Sequence, residues 1–137
     1  MTTPATAVFA IKSWDEKTWD GQPAAAVTGE KLTRAQVIKT YTGDLEGEGR
    51  LEYLMFYRSD GRGNYVGLEQ VTGRIAGRSG NFMIQYTGTF DAQAVHEAWV
   101  IVPDSGTDEL KNLSGQGRAL MAEHRDLYPI TFEYCFE

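Results

Sequence analysis

Apolar, β-branched and aromatic runs alternate along the chain with short clusters of glycine, aspartate, asparagine and serine. Eight runs read as strands: 5–14, 31–42, 48–58, 64–73, 80–90, 94–103, 115–122 and 128–136. The breaks carry turn chemistry, most clearly at Ser59-Asp60-Gly61-Arg62-Gly63-Asn64 and Gly77-Arg78-Ser79-Gly80-Asn81. No segment before Ser105 sustains a helical period. Strands at short, even spacing predict one all-β domain over 1–137. An even number lets an antiparallel meander close on itself and remove its edges. The expected architecture is a single closed or nearly closed antiparallel eight-stranded barrel. One short helical turn near 107–113 would stopper an end: Thr107 suits an N-cap, Asp108 and Glu109 the first turn, and Leu110 and Leu113 share a face.

A tripeptide marks strand ends. Tyr41-Thr42-Gly43, Val71-Thr72-Gly73 and Tyr86-Thr87-Gly88 each close an apolar run, and two copies continue to a further glycine at Gly47 and Gly77. Glycine in such places permits a bulge, a kink or a positive-φ turn, so the repeat predicts strands that bend at matched heights. These glycines read as scaffold.

The strands are apolar on both parities. Leu51, Tyr53 and Met55 alternate with Leu54 and Phe56, and Val95, Trp99 and Ile101 with Ala98, Val100 and Val102. A sheet with one wet face would alternate more cleanly. The second face calls for a cover: a partner subunit, the long 15–30 connection, or a barrel both filled inside and packed outside. A homo-oligomer is the favoured expectation. The 15–30 connection reads equally as a lid or as a surface loop clamped by Trp19.

Composition narrows the setting. A formal net charge of −6, with Lys and Arg scattered, disfavours nucleic acid and anionic membrane as partners. The single cysteine, Cys135, excludes an intrachain disulfide and suggests a reducing, cytoplasmic location. The first ten residues lack the pattern of a secretory signal. No cofactor or metal is expected, because His96 and His124 lie far apart with one distant cysteine.

Candidate chemistry rests on carboxylates within strands, since burying one is expensive unless it is paired. Glu52, Glu69 and Glu97 qualify. If the face of Glu48, Glu52, Leu54 and Phe56 is the inner one, Glu52 enters an aromatic cavity and becomes a candidate general base; otherwise it faces water or pairs with an arginine. Glu69 shares its face with Gly67 and Val71 and is the second catalytic candidate. His96 reads as an ordinary hydrogen-bonded residue on the Ala98 and Val100 face. Gly43 to Gly49 has no lysine at phosphate-loop spacing, and Ser105-Gly106-Thr107 is no nucleophile elbow.

One set of motifs resembles a known family: Ser13-Trp14-Asp15-Glu16, Leu32-Thr33-Arg34-Ala35, Gly47-Glu48-Gly49, Glu52-Tyr53-Leu54-Met55, Val66-Gly67-Leu68-Glu69, Val71-Thr72-Gly73, Gly77-Arg78-Ser79-Gly80, Gly88-Thr89-Phe90, Trp99, Val102-Pro103 and Ser105-Gly106-Thr107. Over nearly its whole length the chain is similar to a mainly bacterial family catalogued as domain of unknown function 3224. That resemblance implies the small eight-stranded, calycin-like barrel of allene oxide cyclase, without any demonstrated activity. The family pattern often has histidine where Tyr86 stands, after Gln85. Tyrosine there has an unperturbed pKa of about 10, which argues against proton transfer at that position. No residue matches the catalytic positions of allene oxide cyclase, so its activity does not carry over.

The reading that joins these strands is a barrel that binds a small apolar molecule, with Trp14, Tyr53, Tyr86 and Trp99 shaping the pocket and Glu52 or Glu69 orienting the ligand. Two alternatives stand beside it. One is an isomerase or cyclase using Glu52 or Glu69 as general base; the other is a solid module that self-associates through its outer face.

Overall fold

The computed structural model describes residues 1–137. Eight strands run in order: β1 (Thr3–Thr18), β2 (Lys31–Gly43), β3 (Leu45–Tyr57), β4 (Gly63–Ile75), β5 (Arg78–Phe90), β6 (Val95–Ile101), β7 (Leu113–Met121) and β8 (Tyr128–Phe136). Every neighbour is antiparallel, and β8 pairs with β1 to close the barrel. This is the up-and-down meander that the even strand count predicts, and closure pairs the first strand with the last.

β1 is longer than the alternation suggests because it serves two partners. Its first half pairs with β8 from Thr3 to Phe9, and its second half continues along β2 to the Thr18–Thr33 pair. The register with β2 slips between Ile11 and Ser13, a bulge that bends the strand within its pairing to β2. β3 begins earlier than predicted, at Leu45, because the hairpin before it is tight, with Gly43 at φ 111°.

The Thr-Gly repeat behaves as a bending device. Gly47 of β3 lies opposite Gly73 of β4, and a Cβ on either would meet the partner backbone. Two strands can therefore press together there as the sheet curls.

The barrel has two unlike ends. At the end where β2–β3 and β4–β5 turn, Leu45, Val71, Ile75, Phe82, Leu110 and Leu113 are all enclosed. The predicted helical turn is there, as a 3-10 turn over Asp108–Leu110. Its expected capping is replaced by a clamp on β5. Thr107 Oγ1 makes no cap; it accepts from the Asn81 amide at 3.0 Å, and Glu109 Oε1 accepts from the Ser79 amide at 3.0 Å. Leu110 is thereby pressed into the end of the barrel as a plug.

The other end is a mouth ringed by the connections at 19–30, 58–62, 91–94 and 122–127. Lys31 Nζ fastens the 19–30 connection by donating to the Ala24 and Val27 carbonyls at 2.6 and 3.0 Å. Trp19, expected as a possible clamp, is largely exposed instead. The second, outer parity of the strands stays apolar in patches: Leu32, Leu54, Val66, Leu68, Val100 and Leu120 are exposed.

Candidate functional site

Inward positions on five strands build two polar clusters, one above the other. Tyr41 on β2, Glu69 on β4 and Tyr86 on β5 form the lower one. The Tyr41 hydroxyl donates to both Glu69 oxygens at 2.9 and 2.8 Å, and Tyr86 donates to Oε1. Glu69 is completely enclosed. Space for it is provided by Gly49 on β3, where a Cβ would overlap the carboxylate. Both oxygens are taken, so this carboxylate has nothing left to offer a ligand.

Glu97 on β6 anchors the upper cluster. Tyr53 and Tyr65 donate to its Oε1 at 3.1 and 2.7 Å. Their rings meet edge to face, with centroids 4.8 Å apart. The Tyr65 ring lies over Gly88, its cross-strand partner, and any Cβ there would strike it. The third copy of the Thr-Gly motif therefore makes room for a site residue as well as shaping the wall.

The four tyrosines of these two clusters remain phenols. Burial raises the pKa of Tyr41, Tyr53, Tyr65 and Tyr86, and the adjacent carboxylate charge, Glu69 for Tyr41 and Tyr86 and Glu97 for Tyr53 and Tyr65, raises it further. They are fixed hydrogen-bond donors rather than proton-transfer groups.

Above the upper cluster a cavity of about 440 Å³ opens at the mouth. Phe9, Lys39, Tyr53, Met55, Tyr65 and Glu97 form its inner surface, with Trp14, Tyr57, Phe90 and Tyr128 nearer the rim. Every fully enclosed side-chain nitrogen and oxygen in the protein has a hydrogen-bond partner. Glu97 Oε2 has no protein donor, so it opens onto this cavity. Lys39 Nζ has no acceptor either, and is in contact with the cavity on the same grounds. At the rim, Glu16 on β1 accepts from Thr33 Oγ1 at 2.7 Å, from Trp14 Nε1 at 3.1 Å and from the Tyr57 hydroxyl. These bonds hold the extended end of β1 against the mouth.

Of the residues singled out in the sequence, Tyr53 and Trp14 line the cavity, with the half-exposed Trp14 ring 5.9 Å from that of Tyr53. Tyr86, Trp99 and Glu69 lie inside the barrel but beneath the cavity floor. Trp99 packs on Phe132 with centroids 5.5 Å apart. Glu52 is on the outer face, paired with Arg34 at 2.6 Å and solvated. The inner parity of β3 is that of Leu51, Tyr53 and Met55, so the condition attached to Glu52 is not met. Tyr41, Tyr65 and Lys39 are absent from the sequence reading of the site, and Glu97 enters it as an in-strand carboxylate but not as a catalytic or ligand-binding candidate. For Glu97 and Lys39 the signal was available: each is a charged residue on an otherwise apolar parity, Glu97 between Val95 and Trp99, Lys39 between Val37 and Tyr41.

A family described as "Protein of unknown function (DUF3224)" matches residues 5–134. The chain belongs to the DUF3224 family. A crystal structure of a DUF3224 protein with unknown function from Shewanella oneidensis is 30% identical, with a TM-score of 0.77. The alignment covers 100% of this chain and 99% of that one. No curated protein matches the sequence. The DUF3224 assignment agrees with the closed barrel and leaves its chemistry to be argued from the interior. No group of His, Cys, Asp and Glu in this DUF3224 barrel is arranged to hold a metal ion. No helix is long and apolar enough to cross a membrane.

Proposed function

We propose that this DUF3224 protein binds a small, mainly apolar molecule in the mouth cavity. One observation carries the reading: an aromatic-walled space of about 440 Å³ with a carboxylate oxygen, Glu97 Oε2, left open to it. Binding sites of this kind are largely apolar with a few placed polar groups. The Phe9, Met55, Phe90 and Tyr128 side chains supply the apolar wall. Glu97, held by two fixed phenol donors, presents an acceptor for a hydroxyl or N–H on the ligand. A larger concavity of about 1160 Å³ lies on the outer wall along strands β1 to β5 and includes the solvated Arg34–Glu52 pair. The reading places the protein in a reducing, cytoplasmic setting, supported by its lone Cys135 thiol.

NMR titration with 2-naphthylmethanol, a neutral apolar probe with one hydroxyl, tests the reading. Saturable shifts are expected at the Trp14 indole N–H and at the amides of Met55 and Glu97. Shifts confined to the outer positions Leu54, Val66 and Leu68, or no saturable shift at all, would contradict it.

The catalytic alternative transfers to Glu97. A bound molecule with an acidic C–H or O–H over Oε2 would meet the one interior carboxylate with an unoccupied oxygen, and isomerisation would need only that proton shuttled. Self-association is supported by a different observation, the exposed cross-strand pair Leu54 and Val66 with Leu68 beside it on the outer wall. Light scattering that reports a monomer across micromolar concentrations would count against it.

A further inference from the structure

Lys39 lies inside the barrel with 3% of its surface exposed, midway along β2 between Val37 and Tyr41. No carboxylate pairs with it and no carbonyl accepts from it. Its Nζ rests instead on two ring faces, 4.2 Å from the Phe9 centroid and 4.9 Å from that of Tyr86. An ammonium group removed from water loses a large hydration energy, and contact with aromatic faces recovers only part of it. Glu69 forms no ion pair with Lys39: its oxygens accept from the Tyr41 and Tyr86 hydroxyls, and its charge acts on Lys39 only through space. Glu97 belongs to β6, four strands from β2 around an eight-stranded barrel, and forms no ion pair with Lys39 either. The three N–H donors of Lys39 are thus left without a protein acceptor, beside the mouth cavity that the residue lines.

We infer that Lys39 is an anion anchor and that the ligand class is an apolar monocarboxylate. This rests on the binding proposed above and sharpens it. The ligand's carboxylate would sit on Lys39 Nζ and its apolar body against Phe9, Met55, Phe90 and Tyr128. Charge-assisted N–H···O bonds are roughly twice as strong as neutral ones, and a low-dielectric surround strengthens them further. The two aromatic faces hold Nζ in place, so little side-chain freedom remains to be lost on binding. The Glu97 charge disfavours a second anionic group at the far wall, which restricts the class to one carboxylate.

Matched probes test the inference: 2-naphthoate against 2-naphthylmethanol, titrated by NMR into the wild-type protein and into Lys39→Met. The wild type is expected to bind naphthoate about tenfold or more tighter than the alcohol. Lys39→Met, similar in length and apolar, should bring the two affinities within about twofold. Equal affinities in the wild type, or an alcohol preference, would overturn the anchor while leaving the apolar site intact. Survival of the naphthoate preference in Lys39→Met would place the anion elsewhere and also overturn it. If neither probe gives a saturable shift at Trp14 or Met55, the binding reading fails and takes the anchor with it. The wild-type comparison needs no variant and stands even if Lys39→Met does not fold.

Discussion

Glu69 and Glu97 are two carboxylates inside one barrel, each held by two tyrosine hydroxyls, and they differ in what those hydroxyls leave free. Around Glu69 the donors use both oxygens and the residue is sealed. At Glu97 both donors converge on Oε1, and Oε2 is left at the cavity. The lower cluster is internal cross-bracing between β2, β4 and β5. The upper one has the same parts with one acceptor to spare. Hydrogen bonding inside a barrel therefore does not by itself mark a site; the unspent atom does.

The largest expected effect comes from breaking the sealed cluster. Glu69→Leu keeps the approximate volume but leaves the Tyr41 and Tyr86 hydroxyls, 3.4 Å apart, with only each other, so one enclosed O–H has no acceptor and stability should fall by roughly 2–5 kcal/mol in urea unfolding. Next is Gly88→Ala, whose methyl group must displace the Tyr65 ring. A loss of about 1–3 kcal/mol is expected, together with weaker probe binding because Tyr65 no longer positions Glu97. Tyr53→Phe removes one donor from Glu97 and should cost about 1 kcal/mol. Glu52→Ala lies on the solvated wall and should change stability by less than about 0.5 kcal/mol without altering binding.

A pH titration sharpens the same comparison. Tyr41, Tyr53, Tyr65 and Tyr86 have folded pKa values raised above the unfolded value near 10. The folded state thus holds protons that the unfolded chain releases, and stability falls as pH rises beyond about 10. Tyrosinate absorbance from these four should appear together with unfolding.

The strand count and most boundaries were legible because turn clusters and alternation agree at every hairpin. The helical plug was legible too, from Leu110 and Leu113. What hid the site was the two-faced apolar pattern. Leu54 and Phe56 made the outer parity of β3 resemble a core, so Glu52 looked as eligible as its neighbour Tyr53. Outer-wall apolar residues such as Val66 and Leu68 carry no mark that separates them from interior ones; only pairing across strands decides it. Glu97 and Lys39 were readable in principle, as single charges on apolar parities. The convergence of Tyr53 and Tyr65 from β3 and β4 on Glu97 of β6 belongs to the closed barrel and to no local stretch of sequence.

The most direct test of the distinction is urea unfolding of Glu69→Leu and Glu97→Leu side by side. In the sealed cluster Tyr41 and Tyr86 have only each other, so one O–H stays unpaired, whereas Tyr53 and Tyr65 can turn their hydroxyls toward the cavity. Glu69→Leu is therefore expected to lose at least about 1–2 kcal/mol more than Glu97→Leu. Equal losses, or a larger loss for Glu97→Leu, would show that the upper carboxylate is bracing like the lower one and would contradict the account.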